Sequence, residues 1–103
     1  MKKYIKITVS CATQSEIEQI CDRLLKEQLI AGGDISETQS NYWWNGKIDK
    51  EKRYTLTALS VQDKKDAIIE LTKKYHQDET PGIIFSYFDA NKEFLDWIDQ
   101  SIN

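Results

Sequence analysis

The sequence contains little of what several common protein classes require. Its 103 residues include two cysteines, one proline and one histidine, and no repeat, low-complexity tract or linker interrupts them. No apolar run approaches the roughly 20 residues that a membrane-spanning helix needs. The two cysteines, Cys11 and Cys21, show neither CxxC nor CxxH spacing, which favours free thiols in a reducing compartment. The start of the chain enters a strand pattern directly and lacks the apolar segment of a signal peptide, so we expect a cytoplasmic protein without a membrane segment.

Charge and catalytic motifs are also sparse. The formal net charge is −3, and acidic and basic residues are interspersed, so no basic surface for nucleic acid is predicted. A single histidine excludes a histidine pair, and the sequence contains no GxSxG, HExxH, P-loop or dinucleotide-binding motif. We therefore expect a non-enzymatic protein. A small enzyme with a site between subunits is the least favoured alternative, because no nucleophile–base pair is visible.

The strongest local signal is a long β-hairpin between Ile35 and Val61. Asn45-Gly46 predicts a type I′ turn, because both residues tolerate the positive φ that this turn requires. The flanks, 35–44 and 48–61, are rich in residues that favour strands and contain no proline. At roughly 3.3 Å per residue the hairpin spans more than ~30 Å, whereas a domain of this size has a radius of gyration of only ~13 Å. We therefore expect its tip to project beyond the domain.

The predicted tip carries three aromatic side chains, Tyr42, Trp43 and Trp44. Because side chains alternate along a strand, Tyr42 and Trp44 share one face and Trp43 lies on the other. Aromatic enrichment is typical of the core of an interface, so we expect a partner surface to bury them. The alternative is that they pack on the helices of the same chain.

Periodicity predicts the element order β-α-β-β-α-β, followed by a C-terminal helix. Residues 4–11 alternate as a half-buried strand, and 83–88 form a short apolar strand that we expect to be covered on both faces. The predicted helix signals are N-caps at Thr13 or Ser15, Asp63 and Asn91, and a stop for the first helix at Gly32-Gly33. This order matches the ferredoxin-like split βαβ arrangement, an α+β fold. We predict a single domain, 1–103, with both main helices on one sheet face and a neighbouring chain over the other.

Two side chains stand out as candidate metal ligands. Cys11 ends the first predicted strand, and His76 follows the second predicted helix, next to Asp78 and Glu79. In a split βαβ sheet these two chain ends can approach each other across subunits. A thiolate, an imidazole and a carboxylate suit copper or zinc. The simpler interpretation is a buried thiol at a strand end and an exposed loop histidine. Cys21 lies on the apolar face of the first predicted helix and is assigned to the core.

Several motifs along essentially the whole chain resemble the CutA family, which is named for divalent-cation tolerance. The most specific are Tyr42-Trp43-Trp44-Asn45-Gly46-Lys47-Ile48 and the loop from His76 to Pro81, and residues 31–37 and 91–98 are also similar. The resemblance implies a ferredoxin-like fold and a homotrimer whose hairpins reach neighbouring subunits. It also implies binding of copper or another divalent cation, with Cys11, His76 and Glu79 as the ligands.

The sequence departs from the family pattern in the regions that would surround a ligand. Gly32-Gly33 stand where the family usually has a cysteine, Leu59 where it has a lysine, and Gln77, Asp78 and Gly82 differ from the usual loop. The architecture is also similar to that of the PII signalling trimers. The alternative function is therefore an interaction module that binds a small molecule or a protein at clefts between subunits.

Overall fold

The computed structural model describes residues 2–102, which form a four-stranded antiparallel sheet and three α-helices. The elements follow in the order β1 (Tyr4–Cys11), α1 (Gln14–Lys26), β2 (Gly32–Trp44), β3 (Lys47–Val61), a 3₁₀ turn (Gln62–Lys64), α2 (Lys65–Tyr75), β4 (Ile83–Phe88) and α3 (Lys92–Ser101). The strand order across the sheet is β2-β3-β1-β4. The predicted ferredoxin-like α+β fold is confirmed.

The main core lies between one face of the sheet and the helices α1 and α2. Alternate residues of β1 are buried there, as the sequence pattern predicts, and β3 contributes Leu56 and Ala58. The helices add the apolar stripes Ile17, Ile20, Cys21 and Leu24 from α1, and Ile68 and Leu71 from α2. Burying one such aliphatic side chain contributes about 1.5–3 kcal/mol. The assignment of Cys21 to the core is confirmed.

The helix starts agree only in part with the sequence signals. Thr13 caps α1, and its Oγ1 accepts a hydrogen bond from the Glu16 N–H at 3.2 Å, as predicted. Asp63 does not cap α2, because it lies inside the 3₁₀ turn, and the helix begins after Lys64 without a side-chain cap. Asn91 occupies the N-cap position of α3, but its side chain makes no capping hydrogen bond.

The end of α1 differs from the prediction. The helix ends at Lys26, because Gln28 adopts a left-handed φ of 56°. The Leu29 N–H then donates to the Leu24 carbonyl at 2.9 Å, which is the long hydrogen bond of a Schellman motif. The prediction that Gly32-Gly33 stop this helix is therefore wrong. These glycines begin β2.

The long hairpin is confirmed, and it begins at Gly32 rather than at Ile35. Its strands pair from Gly32 opposite Leu59 to Trp44 opposite Lys47. Asn45 and Gly46 have φ values of 51° and 79°, as a type I′ turn requires. The described chain measures 45 × 23 × 21 Å, so it is elongated as a projecting hairpin predicts.

The second face of the sheet is covered by α3 at one end only. Val61, Ile98 and Ile102 form a small second core there. Elsewhere the single chain leaves β4 open, since Ile84 and Tyr87, which point to opposite faces, are 63% and 61% exposed. The prediction that β4 is covered on both faces is wrong for the single chain. None of the helices between residues 2 and 102 has the length and apolar character needed to cross a membrane.

Candidate functional site

Three buried side chains that can ligate a metal converge at the end of β1. Cys11 is the last residue of β1, Glu16 lies in the first turn of α1, and His76 directly follows α2. One ligand atom from each lies within 4.8 Å of the other two, and no other such group occurs among residues 2–102. The structure thus brings Cys11 and His76 together within one chain. The expectations that they meet across subunits and that His76 is exposed are both wrong.

Glu16 is the member of the group that sequence reasoning missed. Its spacing from Thr13 fits a capping box, in which the carboxylate would reach back to the start of the helix. Instead the side chain turns inward, and its Oε2 accepts a hydrogen bond from the Gln77 N–H at 2.8 Å. Only 7% of the residue is exposed. A buried carboxylate needs such a partner, because leaving it without one is costly.

The hydrogen bonds of His76 assign a donor and an acceptor role to its two ring nitrogens. Nδ1 lies 3.0 Å from the Asp78 N–H, which can only donate, so Nδ1 is the acceptor. Nε2 lies 2.8 Å from the Ser10 carbonyl, which can only accept, so Nε2 carries the proton. Glu16 Oε2 is 3.6 Å from Nδ1. The acceptor nitrogen of the ring therefore lies on the side of the Glu16 carboxylate.

The Cys11 thiol is held in its protonated form. Burial raises the pKa of Cys11 from 9.0 to about 12, and the neighbouring Glu16 carboxylate adds to the shift. The Arg53 guanidinium acts in the opposite direction but does not outweigh these two causes. Reactive cysteines have a lowered pKa instead. Cys11 is thus poorly suited to act as a nucleophile.

Arg53, in the middle of β3, connects this group to the hairpin. Only 8% of the residue is exposed, and its guanidinium donates to Ser10 Oγ at 2.6 Å, to Asp78 Oδ2 at 2.6 Å and to Glu51 Oε1 at 2.7 Å. Glu51 also accepts a hydrogen bond from the Tyr42 hydroxyl at 2.7 Å. Hydrogen bonds from Tyr42 and Arg53 lower the pKa of Glu51. A continuous polar chain therefore runs from the loop after α2 to the aromatic tip.

The remaining candidate site residues lie apart from the buried group. Glu79, the carboxylate expected beside Cys11 and His76, is exposed and is not a member of it. At the tip, Tyr42 and Trp44 lie on one face and Trp43 on the other, as predicted. Trp43 is 72% exposed and Trp44 is 39% exposed. Neither tryptophan belongs to the two hydrophobic clusters to which the helices contribute.

The buried group contains side chains that can ligate a metal, although their ligand atoms already take part in hydrogen bonds or carry a proton. Thiolate, imidazole and carboxylate are ligands that zinc and copper accept. In the structure, however, Nδ1 of His76 accepts a hydrogen bond, Glu16 accepts another, and the Cys11 thiol keeps its proton. The donor set fits a cation in type and proximity. A cation would have to replace these hydrogen bonds.

The fold and the buried group together define a ferredoxin-like α+β protein with a long hairpin and a compact Cys–Glu–His cluster. Residues 5–101 match the family model described as CutA1 divalent ion tolerance protein. The chain therefore belongs to the CutA1 divalent ion tolerance family.

Known relatives agree with this assignment over most of the chain. The divalent-cation tolerance protein CutA of Pyrococcus horikoshii is 33% identical over 82 residues, which are 79% of this chain and 80% of the relative. The corresponding protein of Archaeoglobus fulgidus is 31% identical over 97 residues, or 93% and 95% of the two chains. A solved structure from A. fulgidus, described as a periplasmic divalent cation tolerance protein, superposes with a TM-score of 0.94 at 30% identity and covers 97% of this chain and 99% of its own.

Proposed function

We propose that this protein is a non-enzymatic, homotrimeric cation-binding protein, in which Cys11, Glu16 and His76 hold copper or another divalent ion. The observation that carries the proposal is the convergence of a thiol, a carboxylate and an imidazole within 4.8 Å in a buried position. Membership of the divalent ion tolerance family supports it. A bound metal would supply a local positive charge in place of the thiol proton. Glu79 is the competing source of the carboxylate.

Binding must displace one proton and at least one hydrogen bond. His76 Nδ1 becomes a ligand only when the Asp78 N–H that now donates to it turns away. The Cys11 thiol must lose its proton, because the thiolate is the ligand. Raising its pKa from 9.0 to about 12 costs about 4 kcal/mol of binding free energy. Since one thiol proton is released, we expect modest affinity that increases up to about tenfold per pH unit through the neutral range and is weaker at pH 5.

Calorimetric titration of the reduced protein with Cu²⁺, and in parallel with Zn²⁺, tests the site. Cys11→Ser, His76→Ala and Glu16→Gln should each weaken binding, whereas Cys21→Ser should leave it unchanged. Glu79→Gln is the matched control for Glu16→Gln. Binding that is equal in wild type and Cys11→Ser would contradict the proposal. Loss in Glu79→Gln alone would move the carboxylate ligand to that residue.

The homotrimer is supported by the exposed tip of the hairpin. Trp43 and Ile48 lie opposite each other on one face and are 72% and 56% exposed, and Trp44 projects from the other. Large exposed apolar side chains on a projecting element are typical of interaction surfaces. We propose that Tyr42, Trp43 and Trp44 contact a neighbouring subunit.

Sedimentation equilibrium should give three times the chain mass of 12.0 kDa at micromolar concentration. Trp44→Ala should weaken assembly, since truncating a buried interface aromatic commonly costs ~2 kcal/mol or more. Leu25→Ala, which alters an exposed side chain of α1, is the control. A monomeric wild-type protein would contradict the assembly proposal without affecting the metal proposal.

We also propose a binding role rather than catalysis, and a cytoplasmic location. The raised pKa of Cys11 supports the first, because it disfavours a nucleophilic thiolate. The two unpaired cysteines support the second. Since the A. fulgidus structure is described as periplasmic, fractionation of the native host with an antibody against this chain is the direct measurement.

A further inference from the structure

A second carboxylate, that of Asp78, lies beside the buried cluster without being one of its three members. Its Oδ2 is 4.0 Å from His76 Nδ1, and Glu16 Oε2 is 3.6 Å from the same nitrogen. Two ligands at tetrahedral corners around a zinc ion, each about 2.0–2.1 Å from it, are separated by roughly 3.4 Å. Both carboxylates are therefore close to the positions that two ligands of one ion take.

The same oxygen of Asp78 is already bound by Arg53. The buried guanidinium donates from Nη2 to Asp78 Oδ2 at 2.6 Å, and it carries its charge at every accessible pH. It is also close enough to the cluster to act on the pKa of the Cys11 thiol, in the lowering direction. A fixed positive charge thus lies at the edge of the cluster and occupies the carboxylate oxygen that is nearest to His76 Nδ1 on this side.

We infer that Asp78 is the fourth ligand of the cluster and that Arg53 opposes cation binding by holding its carboxylate. The inference rests on the proposed metal function. The three buried donors, Cys11, Glu16 and His76, leave one corner of a tetrahedral zinc site open. Within the described part of the chain, only Glu16 and Asp78 have a carboxylate oxygen within 4.0 Å of His76 Nδ1. Asp78 is therefore the protein group best placed to take the open corner.

The loop that carries Asp78 must rearrange for ligation in any case. The Asp78 N–H donates to His76 Nδ1 at 3.0 Å, so this peptide unit has to turn away before the nitrogen can ligate. The Asp78 side chain is 32% exposed, so close packing does not lock it in its present orientation. The ion pair with Arg53 is then the contact that a bound cation has to break.

Calorimetric titration of the reduced protein with Zn²⁺, and in parallel with Cu²⁺, tests this competition in a double-mutant cycle. Arg53→Met should tighten binding at least about tenfold, the scale of one charge-assisted hydrogen bond. The gain cannot come from the thiol, because removing the guanidinium raises the pKa of Cys11 further. In an Asp78→Asn background, Arg53→Met should give no gain. An unchanged or weaker affinity in Arg53→Met, or an equal gain in both backgrounds, would overturn the inference.

Asp78→Asn alone tests the ligand without disturbing Arg53, so the inference stays testable if Arg53→Met does not fold. It should weaken binding about tenfold, whereas Asp22→Asn, on an exposed position of α1, and Lys52→Met are the controls that leave it unchanged. Wild-type affinity in Asp78→Asn would overturn the inference. If Cys11→Ser weakens binding while the Asp78 and Arg53 variants bind as wild type does, this inference alone fails. If Cys11→Ser binds as wild type does, the metal site and this inference fail together.

Discussion

Replacing Arg53 tests how the hairpin is attached to the buried cluster. Its guanidinium contacts Ser10, Asp78 and Glu51. Arg53→Met keeps the apolar stem and removes every donor, which leaves two carboxylates without their cation. Breaking a fully buried pair costs 3–5 kcal/mol, but the Asp78 and Glu51 side chains are 32% and 40% exposed, so water recovers part of the loss. We expect a decrease of about 2–3 kcal/mol in the free energy of unfolding.

The preceding residue of the strand provides a matched control. Lys52 lies on the opposite face of the hairpin, and its ammonium is 3.1 Å from Glu37. Both side chains are mostly exposed, 61% and 57%, so Lys52→Met should change the stability by less than about 1 kcal/mol. Urea unfolding, followed by far-UV circular dichroism at one fixed protein concentration, measures both variants. A fixed concentration is needed because association contributes to the apparent stability.

The outcome discriminates between a structural hub and an ordinary surface charge. If Arg53→Met costs no more than Lys52→Met, Arg53 does not hold the loop to the hairpin and the polar chain is incidental. Arg53→Lys should fall between wild type and Arg53→Met, because an ammonium cannot reproduce the fixed fork of donors that contacts three groups at once.

Three other predictions concern packing and pH. Gly33→Ala should destabilise the protein by about 1–3 kcal/mol, because its Cβ would lie 2.7 Å from Leu56 Cδ1. Gly82→Ala is the control: an added Cβ has no atom within 4 Å, so this variant should be neutral or slightly stabilising in the same urea assay. Thr72→Val should raise the melting temperature, since the Thr72 hydroxyl is buried without a hydrogen-bond partner among the described residues. Because the pKa of Cys11 is raised, the free energy of unfolding should be constant below about pH 9 and should fall by up to about 1.4 kcal/mol per pH unit between pH 9 and 12. Cys11→Ala should flatten this slope when urea midpoints are measured against pH.

The sequence was sufficient for the fold, because its local signals and its periodicity agree. Asn45-Gly46 requires a tight turn with two positive φ values, and the alternation in β1 requires one buried face. Together with the apolar stripes of the predicted helices, these signals are compatible with few topologies. The structure has the ferredoxin-like one. Consistency across these levels is what makes a fold predictable.

The end of α1 and the participation of Glu16 in the cluster could not be predicted, because both depend on tertiary contacts. Gln28 takes the left-handed conformation in place of a glycine, since Leu29 is then buried in the core. Glu16 had two available roles, a capping box or a partner for the loop after α2. The Gln77 N–H, distant in sequence, decides between them. Residue spacing alone contains no information on that choice.

The arrangement of the cluster also determines how a metal could act on the rest of the molecule. The same burial that brings Cys11, Glu16 and His76 together raises the thiol pKa and commits His76 Nδ1 to the Asp78 amide. A metal that takes Nδ1 must release this amide, and Asp78 is also the carboxylate that contacts Arg53. Metal binding and the Arg53 contacts therefore both depend on the position of Asp78 in the loop after α2. A cation bound at this cluster should reduce the difference in stability between Arg53→Met and wild type, because the loop contact that the substitution removes is then already weakened.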